Sequence, residues 1–291
     1  MISKLLTIAS NTFIESLRQP AFIAVLGTVS LLLAFNPAIS ILTLGEDENL
    51  LIDLGLSTIL LGGLFLSAFT ATGSISAEID NKTILTVLTK PVAKQVFILG
   101  KYLGICAVLG LACWTWTMVF LLGVRHGAIS AAWDTADIPV ILFGTIAATL
   151  ALLVAALGNY FRSWNFPTAL SALLAVFLPL AWGLVLIVDK NWNLQPLSTE
   201  FAGEGKALGQ VLLALLLILQ ALWLLASVAI ACSTRLGQLS TLLVLFGVFL
   251  LGLSSDLSFA PSLKLHWMSD ALSLEIPISP AYIGMVSAYT V

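Results

Sequence analysis

The side chains of this sequence that could do chemistry are gathered mainly in one stretch, Ser76 to Gly104, SAEIDNKTILTVLTKPVAKQVFILGKYLG. It lies between two long apolar blocks and holds clustered charge of both signs. Four of the chain's twelve basic residues fall in it, Lys82, Lys90, Lys94 and Lys101, alongside Glu78 and Asp80. This is where the chain can take hold of something in water. Asp80 or Asn81 can cap a following helix, and Asn81 tolerates a left-handed turn. Ile84, Val87, Leu88 and Val92 give that short helix one apolar face. Pro91 ends it by pushing Lys90 out of helical geometry. Two readings fit: a lever lying across the ends of two membrane spans, or an amphipathic loop resting on lipid.

Elsewhere the groups needed for catalysis are missing. His126 and His266 are far apart in sequence and read as outside residues, so a joint metal site is disfavoured. Cys106, Cys113 and Cys232 all lie in apolar blocks, which indicates neither a disulfide framework nor a zinc site. No GxxxxGK[ST] phosphate loop is present; Gly205–Lys206 lacks both the upstream glycine and the following hydroxyl. The predicted spans carry no ionisable residue in their interiors, which disfavours an ion-driven transporter and an intramembrane enzyme. If the chain moves a substrate against a gradient, the energy comes from another subunit. No nucleic-acid motif is present.

The elements that must position this stretch are set by composition. Hydrophobic residues make up 59% of the chain and charged residues 9%, with a mean hydropathy of +1.07. An average soluble domain is about 25% charged, so the solvent for most of this chain is a bilayer. At the N-terminus, Ile2, Leu5, Leu6, Ala9, Phe13 and Leu17 form an apolar stripe, with Lys4, Asn11, Glu15 and Arg18 away from it. The spacing predicts an amphipathic helix over residues 1–20 that lies in the membrane interface or packs on a partner. Pro20 breaks it.

Seven blocks then reach spanning length: Ala21–Leu44, Leu54–Ala77, Tyr102–Val124, Ile138–Leu157, Phe166–Val188, Ala207–Cys232 and Leu236–Leu253. About 20 residues cross the hydrocarbon layer. Pro179 inside the fifth predicts a kink. After the seventh, residues 254–280 read as an outside loop. Pro280 to Val291 reads either as a helix ending at the interface or as the beginning of an eighth span. The expected fold is all-α, a polytopic membrane helical bundle over residues 21–291. With the N-terminus inside, the basic residues divide eight to four in favour of the cytoplasm. The outside loops are then 45–53, 125–137, 189–206 and 254–280, and 78–97 is a cytoplasmic segment.

Gly100 and Gly104 make a GxxxG pair, and Gly123 and Gly127 another. Such pairs let helices approach closely, or arise by chance in a glycine-rich chain.

An amphipathic N-terminal helix followed by this charged stretch resembles the permease subunits of type-2 ATP-binding-cassette transporters. The match is carried by Glu78, Asp80, Asn81, Thr83, Lys90, Pro91, Gly100, Lys101 and Tyr102, and covers roughly the first 105 residues. The resemblance implies an elbow helix (residues 2–19) and a coupling helix within 78–94. It implies contact of Glu78, Asp80, Asn81, Lys82, Thr83, Lys90, Pro91 and Lys94 with a cytoplasmic ATPase subunit. It also implies a dimer with a second permease copy or homologue, in the inner membrane of a prokaryotic cell. No cofactor belongs to this chain; ATP and magnesium would sit in the ATPase partner. Export is the expected direction. The family usually has six spans, where this sequence reads as seven. The alternative is a non-transporting membrane anchor or assembly scaffold with the same fold.

Overall fold

In hydrocarbon a chain must satisfy its backbone hydrogen bonds internally, and an apolar block does so by coiling into an α-helix. The computed structural model describes residues 2–40, 47–80, 94–127, 136–190, 192–194 and 205–259. Among them run eight helices: α1 (Ile2–Arg18), α2 (Pro20–Ser40), α3 (Asp47–Asp80), α4 (Lys94–His126), α5 (Ile138–Arg162), α6 (Phe166–Ile187), α7 (Gly205–Ser233) and α8 (Gln238–Phe259). No strand occurs among the described residues; one isolated bridge joins Val188 and Leu194. Contacts divide the chain into a body, Met1–Phe246, and a second unit, Gly247–Val291. In the second unit the described residues continue α8, with Leu251 and Leu253 exposed.

Six helices among the described residues are long and apolar enough to cross a membrane: α2 to α7. The seventh predicted block forms α8, but its apolar stretch, Gln238–Ser254, is shorter than a span. Residues 280–291, read as an interfacial helix or the beginning of an eighth span, lie outside the described residues. One boundary also moves. α3 starts at Asp47, so most of the predicted outside loop 45–53 is its first turns. α4 starts at Lys94, in line with the sequence, in which a helical run begins near Ala93 and passes through Gly100 and Lys101 into the third span. At 1.5 Å per residue, α3 and α4 are each about 50 Å long, well beyond the ~30 Å hydrocarbon layer. A helix need not stop where the lipid does.

α4 is the axis of the body. It packs on α1, α2, α3, α5, α6 and α7, and Trp116, Phe120, Ile105 and Leu109 on it are fully buried. Indole donors tie it to its neighbours. Trp116 Nε1 donates to Leu26 O of α2 (3.2 Å), Trp114 Nε1 to Ala175 O of α6 (3.1 Å), and Trp223 Nε1 of α7 to Cys106 O (3.2 Å). Each carbonyl keeps its helical bond and offers its second lone pair. Many hydroxyls bond back within their own helices, although the buried Ser16 Oγ has no partner among the described residues. Thr70 Oγ1 donates to Leu66 O and Thr72 Oγ1 to Ala68 O, both at 2.7 Å.

The helix starts are written locally. Asp137 caps α5, its Oδ1 accepting from Val140 N at 3.3 Å, with Pro139 in the first turn. Asn165 caps α6, accepting from Thr168 N at 3.4 Å, with Pro167 following. Gly127, at φ +70, takes the left-handed position that ends α4, and its N–H donates to Gly123 O at 3.1 Å. The second GxxxG pair is therefore not a packing pair.

Candidate functional site

α1 does not merely float beside the bundle. Leu5, Ile8, Ala9, Thr12 and Ser16 recur at three- and four-residue spacing and form the face it turns to α4. That face is small and partly polar, with Thr12 and Ser16 both buried. Opposite lie Gly100 and Gly104. A Cβ on Gly104 would come 2.7 Å from Ala9 O and 2.8 Å from Thr12 Cβ. A Cβ on Gly100 would come 2.8 Å from Ile8 Cγ2 and 3.2 Å from Leu5 O. Only glycine lets the two backbones approach this closely. The predicted stripe differs here: Leu6 belonged to it, yet lies exposed. Close approach selects small residues over greasy ones.

The end of α1 is fastened to α3. The chain bends at Gln19, whose N–H donates to Ser16 O (3.2 Å) and whose carbonyl accepts from Phe22 N (3.1 Å). Its side chain lies against Gly73, where a Cβ would meet both Gln19 Oε1 and Nε2 at 2.6 Å. Pro20 then opens α2, as its fixed φ favours at a first helical position.

Lys101 completes the joint. It stands between the two packing glycines and is only 2% exposed. Its Nζ donates to Ser74 O of α3 and lies 5.4 Å from the centre of the Phe97 ring. Burying an ammonium in a membrane helix is costly unless it is hydrogen-bonded or paired. The carbonyl-rich C-terminal end of α3, six residues on at Asp80, is a favourable place for a cation. The sequence puts Lys101 in water, just outside the third span; the structure buries it within α4. The signal was its position: a lysine between Gly100 and Gly104 shares a helix with the surface that α1 covers.

The residues predicted to meet an ATPase flank this joint. Glu78 and Asp80 lie in the last turn of α3, so Asp80 closes that helix, and Lys94 opens α4. Asn81, Lys82, Thr83, Lys90 and Pro91 lie outside the described residues. The chain linking α3 to α4 thus leaves from and returns to two helices that are bonded to each other and to α1. No group of His, Cys, Asp and Glu able to hold a metal occurs among the described residues.

No curated protein and no solved structure matches the chain. The family described as ABC-2 family transporter protein matches residues 5–200, from α1 to the segment before α7. Membrane subunits of that family generally work with an ATPase partner. A first helix packed on α4, six span-length helices and a family match over well over half its length together make this chain a member of the ABC-2 transporter family, a multi-pass membrane subunit of an ABC transporter.

Proposed function

We propose that the chain is the permease of an ATP-driven exporter whose power comes from a separate cytoplasmic ATPase subunit. The observation that carries this is the joint of α1, α3 and α4. Backbone-to-backbone contact at Gly100 and Gly104, and the Lys101–Ser74 bond, hold three helix ends together. A push on the charged segment 78–97 would reach all three at once. In this reading Glu78, Asp80, Asn81, Lys82, Thr83, Lys90, Pro91 and Lys94 form the contact with the ATPase, which binds ATP and magnesium. The N-terminus is cytoplasmic, as the eight-to-four division of basic residues supports. The membrane is the prokaryotic inner membrane, and the working unit pairs this permease with a second copy or homologue. Export rests on the family resemblance.

The test is to reverse charge at Glu78 and Asp80 together (Glu78→Lys, Asp80→Lys) in the assembled complex. ATPase stimulation by the permease is expected to fall at least tenfold while membrane insertion and helix content stay unchanged. Undiminished stimulation would refute the coupling role. A complex that co-purifies with an ATPase yet never couples hydrolysis to transport would favour the scaffold reading.

A further inference from the structure

α7 has two faces of different character. One packs on α3 and α4. Val211, Leu215, Leu222, Ala226 and Ala229 on it are buried, and Leu222 sits against Gly63 of α3. The other face runs through Leu213, Leu217, Gln220, Leu224, Ser227 and Ala231, all exposed. Their spacing alternates between four residues and three, the repeat of about 3.5 by which one helix lies along another.

The leucines of this face, 56–65% exposed, are at home in lipid. Ser227 is satisfied within α7, its Oγ donating to Leu224 O at 2.6 Å. Gln220 is neither. Its side-chain amide has no hydrogen-bond partner among the described residues. The apolar stretch of α7 is Gly209–Ser233, so Gln220 lies one residue short of its midpoint. With the span centred in the bilayer, about 15 Å of hydrocarbon separates Gln220 from water on either side, half of ~30 Å. A lysine near the end of a span can snorkel to the interface; a glutamine at the centre cannot. An unpaired amide there is costly, because lipid tails neither donate nor accept hydrogen bonds. Lipid therefore does not complete this face. A polar group on another membrane helix does.

What the amide needs selects that helix. A primary amide both donates and accepts, so two of them related by a twofold axis satisfy each other, each NH2 donating to the other's carbonyl. No other span presents an exposed amide at its middle among the described residues. Asn36 is buried and donates to Leu51 O at 2.7 Å, while Asn159, near the end of α5, donates to Trp164 O at 2.6 Å. The complement to Gln220 that this chain carries is Gln220 itself.

We propose that α7 pairs with α7 of a second copy of this chain through Leu213, Leu217, Gln220 and Leu224, with the two Gln220 amides bonded to each other at the bilayer centre. The pairing rests on the reading that two permeases make the working unit, and it gives that unit a contact surface.

The test uses the full chain assembled with its ATPase in native membranes. Cys106, Cys113 and Cys232 are replaced by alanine, and single cysteines are introduced as Leu217→Cys or Leu224→Cys. Oxidation with copper phenanthroline is expected to give disulfide-linked permease dimers. Their yield should be at least fivefold above that of Leu153→Cys on α5 or Leu180→Cys on α6, at positions that are both 60% exposed. Gln220→Leu, added to Leu217→Cys, should lower the yield at least threefold. Leucine suits lipid better than glutamine, so that loss is not one of insertion. Gln220→Asn, which keeps an amide, should retain more than half the yield. If the cysteine-free chain fails to assemble, photoreactive benzoylphenylalanine at position 217 of the otherwise native chain replaces the disulfide and is read the same way. A yield on α7 no higher than at Leu153 or Leu180 would overturn the proposal, as would an undiminished yield with Gln220→Leu. Native mass spectrometry counts the permease chains in each complex. Two chains without the α7 cross-link overturn this surface alone; a single chain overturns the paired permease as well.

Discussion

At one end of α4, a single added carbon on Gly104 would press to within 2.7 Å of the α1 backbone; at the other, a carbon on Gly123 would find Pro37 Cγ at 3.5 Å and Leu33 O at 3.7 Å, an ordinary contact. Both glycines belong to GxxxG pairs on the same helix. The first pair closes an interface and the second does not: Gly127 ends the helix and Gly123 helps leave a cleft. Glycine thus serves both rigidity and room, and its neighbours decide which. Where the facing helix offers Ala, Thr and Ser, backbones meet. Where it offers Pro37 and the helices diverge, space remains. Interfaces packed backbone to backbone move as units, because packed contacts are not continuously deformable.

The strongest way to break the closed end is through its charge. Lys101→Glu would place a carboxylate against Ser74 O, in a site that is 2% exposed. Wrong-sign burial costs roughly 3–5 kcal/mol, so unfolding in denaturant should shift by that amount or expression should fail. Lys101→Met keeps the stem and removes the desolvated charge, and should cost less than about 1.5 kcal/mol. Equal tolerance of Glu and Met would mean that the cation plays no part in the joint.

Next in size is Gly104→Ala. Overpacking a tight site costs about 1–3 kcal/mol, because backbone must shift to relieve it. Since the obstacles are Ala9 O and Thr12 Cβ rather than the tip of a flexible side chain, the upper half of that range is expected. Thermal unfolding in detergent measures it. A second change, Thr12→Gly, removes one obstacle and should recover part of the loss.

Much of this architecture is legible in the sequence, and the parts that are not share a cause. Long apolar blocks announce helices because a bilayer leaves the backbone few alternatives. Pro20, Pro139 and Pro167 mark helix starts by their missing N–H, and Asp137 and Asn165 cap as their side chains allow. Hydropathy reports where lipid ends, not where a helix ends, so it hides the extension of α3 to Asp80, although the helical run from about residue 93 into the third span is legible from the residues after Pro91. The same blindness put Lys101 in water. α1 shows a further limit: hydrophobic periodicity ranked Leu6 above Thr12 and Ser16, yet the interface with α4 is built from small residues, whose value depends on a partner 90 positions away. The segment most specific to the family, residues 81–93, is legible as a motif and lies outside the described residues.

Midway between the two ends, Trp116 measures how firmly α4 is held to α2. Trp116→Phe keeps most of the buried ring and removes the N–H that reaches Leu26 O at 3.2 Å. The carbonyl keeps its helical bond, so the loss should be that of a single net hydrogen bond plus a small void, about 0.5–1.5 kcal/mol. A larger loss would show that the indole's shape, against Gly62, matters more than its donor.

The smallest effect sharpens the comparison most. Gly123→Ala adds the same carbon as Gly104→Ala, in the same helix and with the same gain of intrinsic helix propensity, about 1 kcal/mol over glycine. Nothing nearer than 3.5 Å opposes it. Stability should therefore change by no more than about 1 kcal/mol, and in the stabilising direction. Glycine in a helix interior loses the most conformational freedom on folding, and alanine removes that cost wherever it fits. The two alanine variants, measured side by side by the same unfolding assay, should differ in sign. If both destabilise equally, the second pair is packed as tightly as the first, and the cleft beside Gly123 is closed in the folded protein.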